Sequence, residues 1–129
     1  MTTYPFDSIF INGRDVLIRH IIGNDATPQS EFESSTFSFI RDWHNGVDSF
    51  SQLTSGSTGE AKKITLSRDQ MIKSAELTQE ALHLQEGWRC LLCLQPSFIA
   101  GKMMMVRGFV TGMKIIATEP LANPFLKIA

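Results

Sequence analysis

Apolar and polar positions change period several times along this chain, and each change marks a predicted element. "SIFINGRDVLI" (8–18) sets two short apolar runs around Asn12-Gly13. That pair accepts the positive φ angles of a type I′ turn, which predicts a β-hairpin. "TPQSEFESSTFSFIRDWHNG" then switches to a helical period, with Phe32, Thr36, Ile40 and Trp43 on one face. The spacing predicts a helix from Pro28, tolerated at the first helical position, to His44. Asn45-Gly46 supplies its left-handed stop.

"VDSFSQL" (47–53) and "KKITL" (62–66) read as extended runs on either side of the bare stretch "TSGSTGEAKK" (54–63). "SRDQ" is a capping box, Ser67 with Gln70 three residues on, and Asp69 sits at the positive end of the helix dipole. The helix it opens runs to about Leu84, with Met71, Ala75, Thr78 and Leu82 inward and Lys73, Glu76 and Glu80 outward. "GWRCLLCLQP" predicts a strand at 88–94, apolar on both faces as in a sheet covered by helices. "SFIAGKMMMVRGFVTG" is a largely apolar helix closed by Gly112, and "MKIIATEP" a buried strand at 113–118. Strands alternating with helices give the fold class as α/β: a partial doubly wound, mixed sheet with flanking helices and an N-terminal β-hairpin. "KIIATE" reads as an interior strand whose outer edge is left unpaired, and self-association through that edge is expected.

Composition narrows the class. A chain of 129 residues is one domain's length, 1–46 forming a hairpin-and-helix lead-in and 47–129 the unit that carries the polar loop. Twelve Lys and Arg against thirteen Asp and Glu leave a net charge of −1, which gives no field for nucleic acid or an anionic membrane. No apolar run approaches the ~20 residues that span a bilayer. "MTTYPFDSIF" lacks the basic-then-apolar layout of a secretory signal, and two cysteines make no disulfide framework. A cytoplasmic domain is expected.

The candidate chemistry lies at 54–63. Phosphate needs several donors converging on a small volume, and backbone N–H groups in a turn form such a nest where glycines let the main chain approach. Gly56 and Gly59 give that freedom, Thr54, Ser55, Ser57 and Thr58 add hydroxyls, and Lys62 or Lys63 adds charge. A plain solvated turn is the competing reading, because short Ser/Thr/Gly clusters usually mark loops. The stretch is no Walker A loop: Ala61 and Lys63 stand where the second glycine and the hydroxyl belong, and a strand follows instead of a helix.

The order strand, T-S-G-S-T-G-x-x-K, strand, capped helix resembles the phosphate-binding loop of the adenylate-forming superfamily. Acyl- and aryl-CoA synthetases, luciferases and the adenylation domains of peptide synthetases belong to it. The resemblance runs over residues 47–125, through "ITLSRDQMIKSAELTQEALHLQEGWRCLLCLQPSFIAG" and the next helix and strand. The short lead-in, with "FSFIRDWHNG" just before the loop, is similar to the o-succinylbenzoate–CoA ligases of menaquinone biosynthesis. The resemblance implies an ATP-dependent carboxylate–CoA ligase with ATP, Mg²⁺ and CoA, acting on an aryl or acyl carboxylate. It carries phosphate binding onto Thr54, Ser55, Gly56, Ser57, Thr58, Gly59 and Lys62. Ala61 departs from the family's proline before the loop lysine, and Phe98 and Ile99 stand where many members carry an aromatic or histidine motif near the acyl pocket. The family's ribose-binding aspartate, metal-site glutamate, hinge and C-terminal lysine have no counterpart here. The resemblance therefore implies the N-terminal piece of a longer enzyme, with no catalytic or metal-binding residue of its own and inactive in isolation. A stand-alone nucleotide- or anion-binding module without chemistry is the alternative, and a purely structural α/β domain a third.

Other polar residues have plainer explanations. Cys90 and Cys93 lie in an apolar strand with no second pair to complete a zinc site, so buried thiols are expected. His20, His44 and His83 are far apart with no neighbouring nucleophile, and Met103, Met104 and Met105 read as adaptable core packing. Asp42, Asp48 and Asp69 make no convincing metal set, since Asp69 serves the helix start.

Overall fold

A computed structural model describes residues 5–53 and 62–119. Strands β1 (Ser8–Ile11) and β2 (Arg14–Leu17) pair antiparallel, with Ile9 opposite Val16 and Ile11 opposite Arg14. Asn12 (φ 48°) and Gly13 (φ 86°) both occupy the left-handed region, as the two-residue turn requires. A five-residue helix, α1 (Ile18–Ile22), follows directly and buries Ile18 and Ile21. One turn and a half is too short to show a period in sequence, and no element was expected there.

Helix α2 (Glu31–His44) begins three residues later than Pro28 suggests, because Ser30 is its cap: the hydroxyl accepts from Glu33 N at 3.2 Å. Acidic Glu31 and Glu33 lie in the first turn and basic Arg41 in the last, matching the helix dipole at both ends. Phe32, Thr36, Ile40 and Trp43 are buried as expected, and Phe37 and Phe39 widen the apolar face. Each large apolar side chain buried this way contributes roughly 1.5–3 kcal/mol. Glu33 is buried with them and only 1% exposed, yet fully engaged. It accepts from Asn12 Nδ2 at 2.9 Å and Gln29 N at 3.1 Å, and forms an ion pair with Arg14. The hairpin turn is thereby tied to the first turn of α2.

Strands β3 (Ser49–Leu53) and β4 (Lys63–Ser67) form a two-stranded antiparallel sheet of their own. Helix α3 (Arg68–Leu82) starts from the expected capping box, with Ser67 Oγ accepting from Gln70 N and Gln70 Oε1 from Ser67 N. Met71 and Ala75 are buried, whereas Thr78 is half-buried and Leu82 is 63% exposed, so only the first half of the expected inner face packs on the core.

Strand β5 (Arg89–Leu92), helix α4 (Ile99–Thr111) and strand β6 (Lys114–Ala117) form a parallel crossover unit, and α4 packs on α3. The main sheet has the order β2-β1-β6-β5, with β6 parallel to both β1 and β5. This is the mixed sheet with flanking helices and an N-terminal hairpin. Two expectations are corrected. Strand β6 is paired on both sides, by β5 and by β1 of the N-terminal hairpin, so its edge is not the open one. Strand β5 is covered on one face only: Cys90 and Leu92 are buried, while Leu91 is 36% exposed. Met103 and Met105 pack in the core and Met104 beside it. Gly112 (φ 81°) ends α4 in the left-handed conformation.

Candidate functional site

The polar loop is carried by the β3–β4 hairpin. The strands pair from Ser49 opposite Ser67 to Leu53 opposite Lys63, so the chain leaves and returns at facing positions. Thr54, Ser55, Gly56, Ser57, Thr58 and Gly59 lie outside the described residues, and so does Ala61. Lys62 is described: it is exposed and immediately precedes Lys63, the first residue of β4 and also exposed. Two ammonium-bearing side chains thus stand at the root of the loop.

This root is anchored at several points. On its inner face Phe50 meets Phe39 edge-on at 5.1 Å and stacks with Trp43 at 5.8 Å. At its far end Arg68 N donates to Asp48 O at 2.7 Å. The Arg68 guanidinium donates to Trp43 O at 2.7 Å and lies 4.0 Å over the Trp43 ring. Burial pushes its pKa down, against the pull of Asp48 and Asp69 upward. On the outer face Ser51 Oγ and Thr65 Oγ1 share a hydrogen bond of 2.9 Å across the strands. A loop held at both ends by packed elements starts with less conformational freedom to lose when it closes on a ligand. Gln52 shares the inner face with Phe50, is buried, and among the described residues neither end of its amide has a hydrogen-bond partner.

Beside the hairpin runs a groove of about 430 Å³. Ser34, Ser35, Ser38 and Asp42 of α2 form one wall and Ser49 and Ser51 of β3 another, with Pro96, Ser97 and Lys102 closing the end. Lys102 is only 8% exposed. Its ammonium donates to Pro96 O and lies 5.6 Å from the centre of the Phe39 ring. Desolvation lowers its pKa and Asp42 raises it. Lys102 was not singled out in sequence, where it sits inside "IAGKMMMV" and is outvoted by apolar neighbours. Its signal was that isolated charge. Phe98 and Ile99 are half-buried at the start of α4, and Ile99 packs against the core.

The remaining candidates stay structural. Cys90 is buried, its Sγ donating to Met104 O at 3.5 Å, and burial raises its pKa. Cys93 is half-buried, and both thiols are free. His44 Nδ1 donates to Ile40 O, 2.9 Å away, with its ring edge-on to Phe109 at 5.0 Å. Among the described residues no three His, Cys, Asp or Glu side chains converge on a point, and no helix is long and apolar enough to cross a membrane.

No protein-family model matches the chain, and no curated protein matches it either. Among solved structures, it is similar to an acyl-CoA synthetase (AMP-forming)/AMP-acid ligase II-like protein from Dyadobacter fermentans, with a TM-score of 0.73 and 39% identity. The match covers 81% of this chain and 30% of that protein. Identity at this level carries the likeness beyond the fold alone, and the chain is thus similar, in sequence and structure, to under a third of that AMP-forming ligase-like protein.

Proposed function

We propose that the chain is the phosphate-binding segment of an ATP-dependent carboxylate–CoA ligase, with an o-succinylbenzoate–CoA ligase as the specific assignment. The observation that carries the first part is the 39% identity to the AMP-forming ligase-like protein over most of this chain. The hairpin supports it: a T-S-G-S-T-G stretch is presented from a root locked by Phe50, Trp43 and Arg68, with Lys62 and Lys63 at its exit. The specific acid rests on the short lead-in before the loop alone.

In this reading Thr54, Ser55, Gly56, Ser57, Thr58, Gly59 and Lys62 bind the β- and γ-phosphates of ATP. A carboxylate then attacks the α-phosphorus, releasing pyrophosphate, and the acyl-adenylate passes its acyl group to CoA. The contribution of this segment is positioning and charge neutralisation. Mg²⁺ would accompany the phosphates and share their charge. The described residues offer no converging set of ligands for it, so no residue here is assigned to the metal.

Calorimetric titration with pyrophosphate tests the reading. Thr58→Ala and Lys62→Ala should each weaken binding by roughly 1–3 kcal/mol, the worth of a hydrogen bond to a charged group, with little change in melting temperature. Unchanged affinity in both variants returns the loop to a plain solvated turn.

A further inference from the structure

Three consecutive residues of β3, Ser49, Phe50 and Ser51, line the groove beside the hairpin. Successive side chains of a strand point to opposite faces, and here Phe50 is buried inward while Ser49 and Ser51 are exposed. A groove lined by all of them therefore runs along the edge of the strand. That edge is open: β3 pairs with β4 alone, and among the described residues no other backbone group pairs with residues 49–51. Unpaired N–H and C=O groups along an edge are a template for a further strand. The opposite wall is α2, where Ser34, Ser38 and Asp42 follow at the four-residue spacing of one helix face. Its serines leave room that larger side chains would fill. Lys102 closes the end of the groove and is only 8% exposed. An ammonium has three N–H donors. Lys102 directs one to Pro96 O, and among the described residues no other acceptor reaches it.

We propose that this groove takes an extended segment of a partner polypeptide, uncharged and with small or β-branched side chains, which adds to the open edge of β3 as a further strand. Main-chain hydrogen bonds to residues 49–51 hold the segment, as in other strand additions. Lys102 donates to a carbonyl on its far side, and the Phe39 ring fixes the ammonium by a cation–π contact. Ser35, Ser38 and Ser97 offer hydroxyls to that same side. Asp42 stands exposed on the α2 wall, and its charge disfavours an anion. A strand is neutral and brings one donor and one acceptor per residue. The volume of about 430 Å³ admits only a short segment. A second copy of the chain fits poorly, because its own β3 lies beside its own α2 and both helices would have to share one groove. The site uses described residues only and does not depend on the loop at 54–61 binding phosphate.

The test is a titration of the 129-residue chain with acetyl-Thr-Val-Ser-Val-Thr-amide, whose blocked ends carry no charge, followed by amide NMR shifts and hydrogen exchange. Binding should saturate, with shifts centred on residues 49–51 and Lys102 and slowed exchange at β3 amides. Two analogues, N-methylated either on the valines or on the serine and threonines, each lose the N–H groups of one edge of the peptide. At least one of them should bind at least about tenfold more weakly. Ser38→Trp, at an exposed position on α2, should fill the groove and weaken the peptide at least about tenfold with little change in melting temperature. Lys102→Met should weaken the peptide and leave pyrophosphate affinity unchanged; Ser38→Trp decides the matter if Lys102→Met fails to fold. The proposal is overturned by no saturable binding at concentrations of order 10 mM. Undiminished affinity of both analogues would make the groove a small-molecule site and overturns it as well. So does affinity within about twofold of the parent in either folded variant. A dimer of the peptide-free chain that Ser38→Trp dissolves would place a second copy in the groove, which also overturns it.

Discussion

His44 occupies the last turn of α2, 2.9 Å from Ile40 O and edge-on to Phe109, with the Arg68 charge near by. Burial holds its pKa below the ordinary 6.5 and Arg68 pushes the same way, against the Ile40 carbonyl. The unfolded imidazole takes up its proton near the ordinary value and the folded one only at lower pH. Between the two the unfolded state binds more protons, so stability falls as pH drops through that window. The melting temperature of the chain should therefore decline between about pH 7 and pH 5 more steeply than that of His44→Gln, which stays neutral throughout. Parallel curves for the two proteins would contradict the account. At this scale the sequence was legible where a residue acts on its own backbone. Asn12-Gly13 and the Ser67–Gln70 box are local devices, fixed by φ preference and by a reach of three residues. Glu33 and Lys102 were not legible, because each owes its role to residues distant in sequence: Arg14 and Asn12 for the one, Asp42 and Phe39 for the other.

Elements were legible in proportion to their length and regularity. Helices α2 and α3 carry N-caps and a helical period and α4 is a long apolar run closed by Gly112, whereas α1 spans five residues and follows β2 with no break in composition. Leu82 keeps the period of α3 yet is exposed, since the period shows which residues share a face but not how far the neighbouring element reaches along it. The close approach of the 95–97 turn to α4 depends on Gly101. A Cβ there would fall well inside van der Waals contact of the Gln95 carbonyl, and that neighbour is backbone. Gly101→Ala should cost about 1–3 kcal/mol as overpacking. It should also displace the turn whose Pro96 carbonyl holds Lys102. Denaturant unfolding and the amide shifts of residues 95–97 check both effects; a variant as stable as the parent with those shifts unmoved would show that the packing is loose.

At the scale of the whole molecule the alternation of strands and helices gave the fold class, while the order of strands had no local signature. The N-terminal hairpin enters the sheet beside β6, the last strand among the described residues, and the loop-bearing strands β3 and β4 stay outside it. The exposed side of the main sheet accordingly lies at β5, where Trp88, Leu91 and Leu94 are all exposed. An edge of this kind recruits further strands unless a charge blocks it. Light scattering should show mass rising with concentration for the parent chain and a smaller rise for Leu91→Lys; identical behaviour would place any association elsewhere. The proposed function concerns the other sheet, whose hairpin would present the T-S-G-S-T-G loop to the terminal phosphates of ATP. Phosphorus NMR of ATP titrated with the chain reads it most directly. The β- and γ-phosphate resonances should shift and broaden while the α-phosphate moves least, and Lys62→Ala should return them towards the positions of free ATP. Resonances untouched by the chain, or a perturbation that Lys62→Ala leaves intact, would contradict it.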